Sequence, residues 1–89
     1  MFYIVYILYS GTLDLYYIGY SKNPKLRLNK HLSNHSGFTS KAKDWQLVYE
    51  EPFQEKSEAL KREKQLKNWK NKIRIKQLIE KFRLVEHPD

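Results

Sequence analysis

The chain opens on an unbroken apolar run. Every position from Phe2 to Tyr9 is aromatic, β-branched or leucine. A strand with two apolar faces is one covered on both sides, so this run predicts a central strand. Ser10-Gly11-Thr12-Leu13-Asp14 carries turn chemistry. Residues 15–20, Leu-Tyr-Tyr-Ile-Gly-Tyr, read as a second strand, and 2–20 as a hairpin. A turn centred between Gly11 and Thr12 sets Tyr6 opposite Tyr17. Gly19 inside the second strand marks a bulge or the close approach of another backbone. Asn23-Pro24 is an N-cap followed by proline at the first helical position, and Leu28 and Leu32, four apart, supply the helix's buried edge. The polar stretch 33–44 reads as a loop. Trp45 to about Tyr49 reads as a third strand, ended by Pro52. A helix from Ser57 to about Trp69 places Ala59, Leu60 and Leu66 on its apolar stripe. A last helix over about 71–83 carries Ile75, Leu78, Ile79 and Phe82 at i, i+3, i+4 and i+7. The order ββαβαα predicts an α+β domain over residues 1–83, with a small three-stranded antiparallel sheet flanked by helices and a tail at 84–89.

Composition narrows the class. A chain of 89 residues holds one domain, and 15% aromatic residues are too many for a disordered chain. No apolar run approaches the length of a membrane span, about 18 residues. There is no cysteine, hence no disulfide, no thiol nucleophile and no thiolate metal site. The Met1-Phe2-Tyr3-Ile4 start has no basic region of a signal peptide, which predicts a cytoplasmic protein. Charge is unevenly spread: residues 1–20 hold one acid and no base, whereas the whole chain carries +7. An aromatic, uncharged front half and a basic remainder suit a polyanionic partner, most commonly nucleic acid.

Several polar residues stand in apolar company. At 100° per residue Glu63 lies between Ala59 and Leu60, on the side of Leu66, so its carboxylate faces the domain. A carboxylate there needs a partner: a base such as Arg27 or Lys67, a set of hydrogen bonds, or a metal ion. Arg27 and His31, four apart, share one helix face. That face is either a solvated surface or a pairing of a phosphate clamp with a proton carrier. Six of the seven tyrosines fall within residues 3–20. His31, His35 and His87 have no metal-ligand spacing. No Gly-rich phosphate loop, HExxH or serine elbow is present.

Taken together, these residues resemble the GIY-YIG nuclease superfamily, most of all its small stand-alone bacterial branch, related to the catalytic N-terminal module of excision-repair nucleases. The first motif is Ile4-Val5-Tyr6. The second, Tyr17-Ile18-Gly19, follows after an interval of ten residues. Arg27-Leu28-Asn29-Lys30-His31 matches the Arg helix, and Arg62-Glu63-Lys64 the glutamate motif. Phe38-Thr39-Ser40-Lys41 and Leu47-Val48-Tyr49 are also similar to that branch, and the resemblance spans about residues 2–79. Ile4 stands in place of the motif glycine, Asn23-Pro24 in place of the usual Asp-Leu, and Tyr20 where some members carry lysine. Asn68 and Asn71 are the candidates for a late asparagine.

The resemblance implies an endonuclease, a metal-dependent phosphodiesterase that hydrolyses DNA. It also implies low sequence specificity and a preference for single-stranded or branched DNA. Tyr6, Tyr17, Arg27, His31 and Glu63 would be catalytic. Glu63 would hold one Mg²⁺ or Mn²⁺, hard cations suited to a carboxylate, waters and a phosphate oxygen. Arg27 would offset transition-state charge. Tyr6 would orient or activate water, with His31 as proton relay and Tyr17 as a further orienting group. The identity of the base stays open. Lys41, Lys61, Lys64, Lys67, Lys70, Lys72 and Arg74 are candidate DNA contacts. Trp45 and Trp69 are candidates either for base stacking or for core packing. So small a domain leaves room for a protein partner in substrate recognition. An inactive nucleic-acid-binding module of the same fold and a basic RNA-associated structural protein are the alternative readings.

Overall fold

The structure, a computed structural model, describes residues 1–33 and 37–86. Strands β1 (Tyr3–Ser10) and β2 (Leu15–Ser21) form a hairpin, followed by helix α1 (Pro24–Ser33). A 3₁₀ turn (Phe38–Lys41) leads into β3 (Gln46–Phe53), and α2 (Lys56–Trp69) and α3 (Lys72–Glu86) complete the chain. The order is ββαβαα, with three antiparallel strands arranged β2-β1-β3. The predicted α+β class is therefore the observed one. Helix α3 runs on to Glu86, into the span expected to be tail. His35 and His87 lie outside the described residues, as do 87–89 of that tail.

β1 is central, and both its faces are buried, as an apolar run on both parities requires. Val5 and Ile7 pack with Tyr49, Ala59, Leu66, Ile75 and Ile79 on the α2–α3 side. Tyr6 and Leu8 pack with Ala42 and Trp45 on the other side, where Leu28 and Leu32 of α1 close the layer. The sheet is thus the middle of three layers. No described helix is long and apolar enough to cross a membrane.

Four local expectations need correction. Tyr6 pairs with Gly19 and Tyr17 with Leu8, so the two tyrosines are diagonal rather than opposite. The hairpin is two positions out of the expected register because its turn is held by a distant side chain. Asp44 accepts hydrogen bonds from Ser10 Oγ at 2.6 Å, Thr12 N at 2.8 Å and Thr12 Oγ1 at 2.9 Å. These bonds hold the Asp44 carboxyl down at about 2, well below the usual carboxylate range. A shift of two positions preserves side-chain parity, so Tyr6 and Tyr17 still share a face. Second, Gly19 accommodates a side chain, not a backbone: a Cβ there would lie 2.8 Å from the Tyr6 hydroxyl. Third, Pro52 sits inside β3, opposite Ile4. β3 has a neighbour on one side only, which is where a sheet tolerates a residue without an N–H. Fourth, Leu60 is exposed, and the buried stripe of α2 consists of Ala59 and Leu66.

The β1–β3 ladder slips by one between Ile7 and Leu8. Ile7 pairs with Tyr49 and Leu8 with Leu47, which leaves Val48 as an extra residue in β3. The bulge lets Leu47 and Tyr49, two apart, enter opposite layers of the core.

Helix termini follow their sequence signals. Asn23 Oδ1 accepts the Leu26 amide at 3.1 Å, capping α1. α2 ends at Lys70, in a left-handed conformation with φ of 50°. Asn71 then caps α3, its Oδ1 taking the Arg74 amide at 3.1 Å.

Candidate active site

Tyr6 is the centre of a polar cluster inside the α1-side layer. Its side chain is fully buried, and its ring lies over Gly19, where the missing Cβ leaves room for it. The hydroxyl stands 3.1 Å from His31 Nε2. Arg27, one helical turn before His31, lies near enough to the same hydroxyl to favour its ionised form, against the effect of burial. Asn23 and Pro24 start α1 in the register that points both residues at the sheet. On its other side, His31 Nδ1 is 2.9 Å from Thr39 Oγ1 of the 3₁₀ turn.

A neutral imidazole has one N–H and one bare nitrogen, so either tautomer can bridge the two hydroxyls. The Arg27 cation beside the Tyr6 oxygen favours the one in which the Tyr6 O–H donates to His31 Nε2 and His31 Nδ1–H donates to Thr39 Oγ1. Burial, reinforced by the Arg27 charge, lowers the His31 pKa below its ordinary value. His31 is therefore neutral at pH 7. Burial raises the Tyr6 pKa, against the lowering effect of Arg27. Its resting form is the neutral phenol.

Tyr17 completes the aromatic part of the cluster. Its ring centroid is 4.7 Å from that of His31, edge to face, and 6.4 Å from that of Tyr6. Phe38 stacks on Tyr17 at 6.3 Å with an interplanar angle of 26°. Glu63 comes from α2, between Ala59 and Leu66 on the helix's inner side. It is close enough for its charge to contribute to the rise of the Tyr6 pKa. Of the five expected residues, His31 contacts the Tyr6 hydroxyl, Tyr17 packs on His31, and Arg27 and Glu63 lie near enough for their charges to act on Tyr6.

Glu63 has 16% of its side chain exposed, and Lys67 Nζ lies 3.3 Å from it, the base expected as one of its partners. Among the described residues no three His, Cys, Asp or Glu side chains converge on a common point. The donor set is one carboxylate in a place where a cation is already accommodated. That fits a hard divalent ion such as Mg²⁺, which keeps most of its waters and takes one or two carboxylates plus a substrate phosphate.

The expected DNA contacts divide by position. Lys67, Lys70 and Lys72 line one cleft with Tyr17, Phe38 and Asn71. Lys41 lies 5.4 Å from the Phe38 ring. Lys61 and Lys64 are exposed on α2 outside that cleft. Arg74 stacks on Trp69 at 4.0 Å, and Arg62 lies 5.7 Å from the same ring. Arg62 also bonds to Glu51 at 3.0 Å, tying α2 to β3. Trp45 is buried and donates its indole N–H to the Thr39 carbonyl at 2.9 Å, so its role is packing rather than base stacking.

Two further residues of the cluster, Thr39 and Phe38, are marked in the sequence only by the likeness of Phe38-Thr39-Ser40-Lys41 to the family branch. Composition reads their segment as a loop, and nothing in it points to their contacts with His31 and Tyr17. Their signal is the 3₁₀ turn, which a polar stretch does not announce.

The GIY-YIG catalytic domain family matches residues 2–78. A UPF0213 protein of Staphylococcus saprophyticus is 38% identical over 65 residues, covering 72% of this chain and 79% of its own. One from Staphylococcus epidermidis is 37% identical over 78 residues, 85% of this chain and 93% of the relative. One from Staphylococcus aureus is 33% identical over 78 residues, covering 86% and 94%. No solved structure matches significantly. With the family match spanning nearly the whole chain, this protein belongs to the GIY-YIG nuclease family.

Proposed function

We propose that the protein is a metal-dependent endonuclease that hydrolyses DNA phosphodiester bonds. Its sequence specificity is low, and it prefers single-stranded or branched substrates. The observation that carries this reading is the buried Tyr6 hydroxyl beside Arg27 and a neutral His31.

Tyr6 and His31 form a proton path. As water attacks phosphorus, the Tyr6 oxygen takes the water proton while its own proton passes to His31 Nε2. Thr39 holds the imidazole in the accepting tautomer. The raised Tyr6 pKa argues against a standing tyrosinate, and the lowered His31 pKa keeps the acceptor unprotonated at neutral pH. Arg27 is exposed and lies near the Tyr6 hydroxyl. Drawn to a substrate phosphate, it stabilises the charge that grows on the phosphoryl oxygens. Tyr17 orients the water or the phosphate. Glu63 would hold a single Mg²⁺ or Mn²⁺, which when bound supplies Lewis-acid stabilisation to the departing 3′ oxygen. Surface lysines supply affinity that does not depend on sequence. So few recognition elements suit a partner protein that delivers the substrate.

The test compares wild type with Glu63→Ala on single-stranded, duplex and flapped DNA, with Mg²⁺, Mn²⁺ or EDTA, and measures binding alongside. Cutting should need the metal and be lost in the variant while binding persists. Tight binding by wild type without cutting under any of these conditions would replace the reading with that of a binding module.

A further inference from the structure

A cleft of about 340 Å³ lies beside the cluster, between β2, the 3₁₀ turn and the junction of α2 and α3. Its floor is apolar, built from Leu15, Ile18, Leu66 and Ile75. Phe38 and Tyr17 form an aromatic wall, and Lys67, Lys70 and Lys72 stand at its rim, Lys67 paired with Glu63 and Lys72 with Asp14, neither acid itself lining the cleft. Phe38 is 42% exposed yet braced: its ring stacks on Tyr17 and meets the buried Trp45 at 5.9 Å. A flat apolar group would therefore find a surface that is already ordered.

We propose that this cleft binds one unpaired nucleobase of the DNA substrate, next to the scissile phosphate. The proposal rests on the nuclease reading and gives its substrate class a site. Two residues connect cleft and cluster: Tyr17 also contacts His31, and Lys67 also pairs with Glu63. A ligand that fills the cleft therefore borders the reacting groups. The lining asks for a planar ring joined to negative charge, which is what a nucleotide offers. A base inside a duplex has both faces stacked and its edge paired, and reaches such a cleft only after being flipped out. Single strands, flaps and unpaired ends present it directly.

The test uses an oligothymidylate with one 2-aminopurine, and the same probe annealed into a duplex, in EDTA so that nothing is cut. The single strand should bind more tightly and lose fluorescence as the base stacks. Phe38→Ala should weaken binding about fivefold or more and restore fluorescence, since base–aromatic stacking contributes on that scale. Phe38→Trp should recover both, which separates stacking from loss of fold. Lys70→Glu should weaken binding without restoring fluorescence. Equal binding of duplex and single strand, no quenching, or indifference to Phe38→Ala would overturn the proposal. Metal-dependent cutting that ignores Phe38 would retain the nuclease reading and reject the cleft. Phe38-dependent quenching without any cutting would do the reverse.

Discussion

His31 sits between two hydroxyls, and this placement sets the pH behaviour of the site. Its pKa lies below the ordinary histidine value through burial and then the Arg27 charge. Activity needs the neutral form, so it should be lost only as pH falls through that lowered pKa. The acid limb of kcat/KM should therefore lie below about 6.5, the value for an unperturbed imidazole. His31→Ala should remove that limb and slow turnover roughly 10²–10⁴-fold, the usual contribution of a positioned acid–base group. An acid limb near or above the ordinary value would contradict the assigned tautomer and burial. At this scale the sequence was informative where spacing carries meaning. The single helical turn between Arg27 and His31 puts both on one helix face before any fold is known, and the family motifs mark Tyr6 and Tyr17, whose expected pairing is two positions off. Thr39 and Gly19 were harder to read. Thr39 acts through a contact across eight positions. Gly19 is small to admit a phenol ring, not a backbone.

Among the elements, the α2–α3 junction shows local strain retained next to a function. Lys70 occupies the left-handed region that glycine adopts at no cost. Lys70→Gly should stabilise the fold by about 1 kcal/mol, the usual penalty for an L-residue in that conformation. The same change should weaken DNA binding, because it removes a rim cation. Chemical denaturation and an equilibrium binding assay would measure the two opposed effects, and a variant weaker in both would refute the strain argument. Most elements were legible because each carries its own local signal: the apolar run of β1, the Asn-Pro start of α1, the spacing of Ile75, Leu78, Ile79 and Phe82. The errors arose where a distant residue decides. Asp44 sets the hairpin turn from more than thirty positions away. Pro52 continues a strand because the sheet ends there, a fact about neighbours rather than about proline.

For the molecule as a whole, Asp44 is also a point of acid sensitivity. Its carboxyl holds the β1–β2 turn to the segment that precedes β3. The folded pKa is about 2, below the value in an unfolded chain. The stabilisation is thus complete above about pH 4 and disappears as pH falls from there toward 2. Melting temperature should drop across that window, and Asp44→Asn should flatten the drop. An unchanged acid profile in the variant would show that other carboxylates govern it. The turn has a second attachment, Asp14 to Lys72 of α3 at 3.4 Å, exposed on both sides. Exposed pairs of this kind contribute little, so the tie between the turn and the segment before β3 rests on Asp44.

The extra residue at Val48 has a consequence for how this fold tolerates change in length. A ladder without it would be more regular on paper, with every partner of β1 in step. Deleting Val48 would leave Leu47 opposite Leu8 and Tyr49 opposite Ile7, each still facing its own layer. A gap at Val48 would therefore cost that side chain's own packing and little else, whereas a gap at Leu47 or Tyr49 would remove a core residue. The irregular position is a reserve of one residue, which lets this edge strand lose length without turning its neighbours to the wrong side.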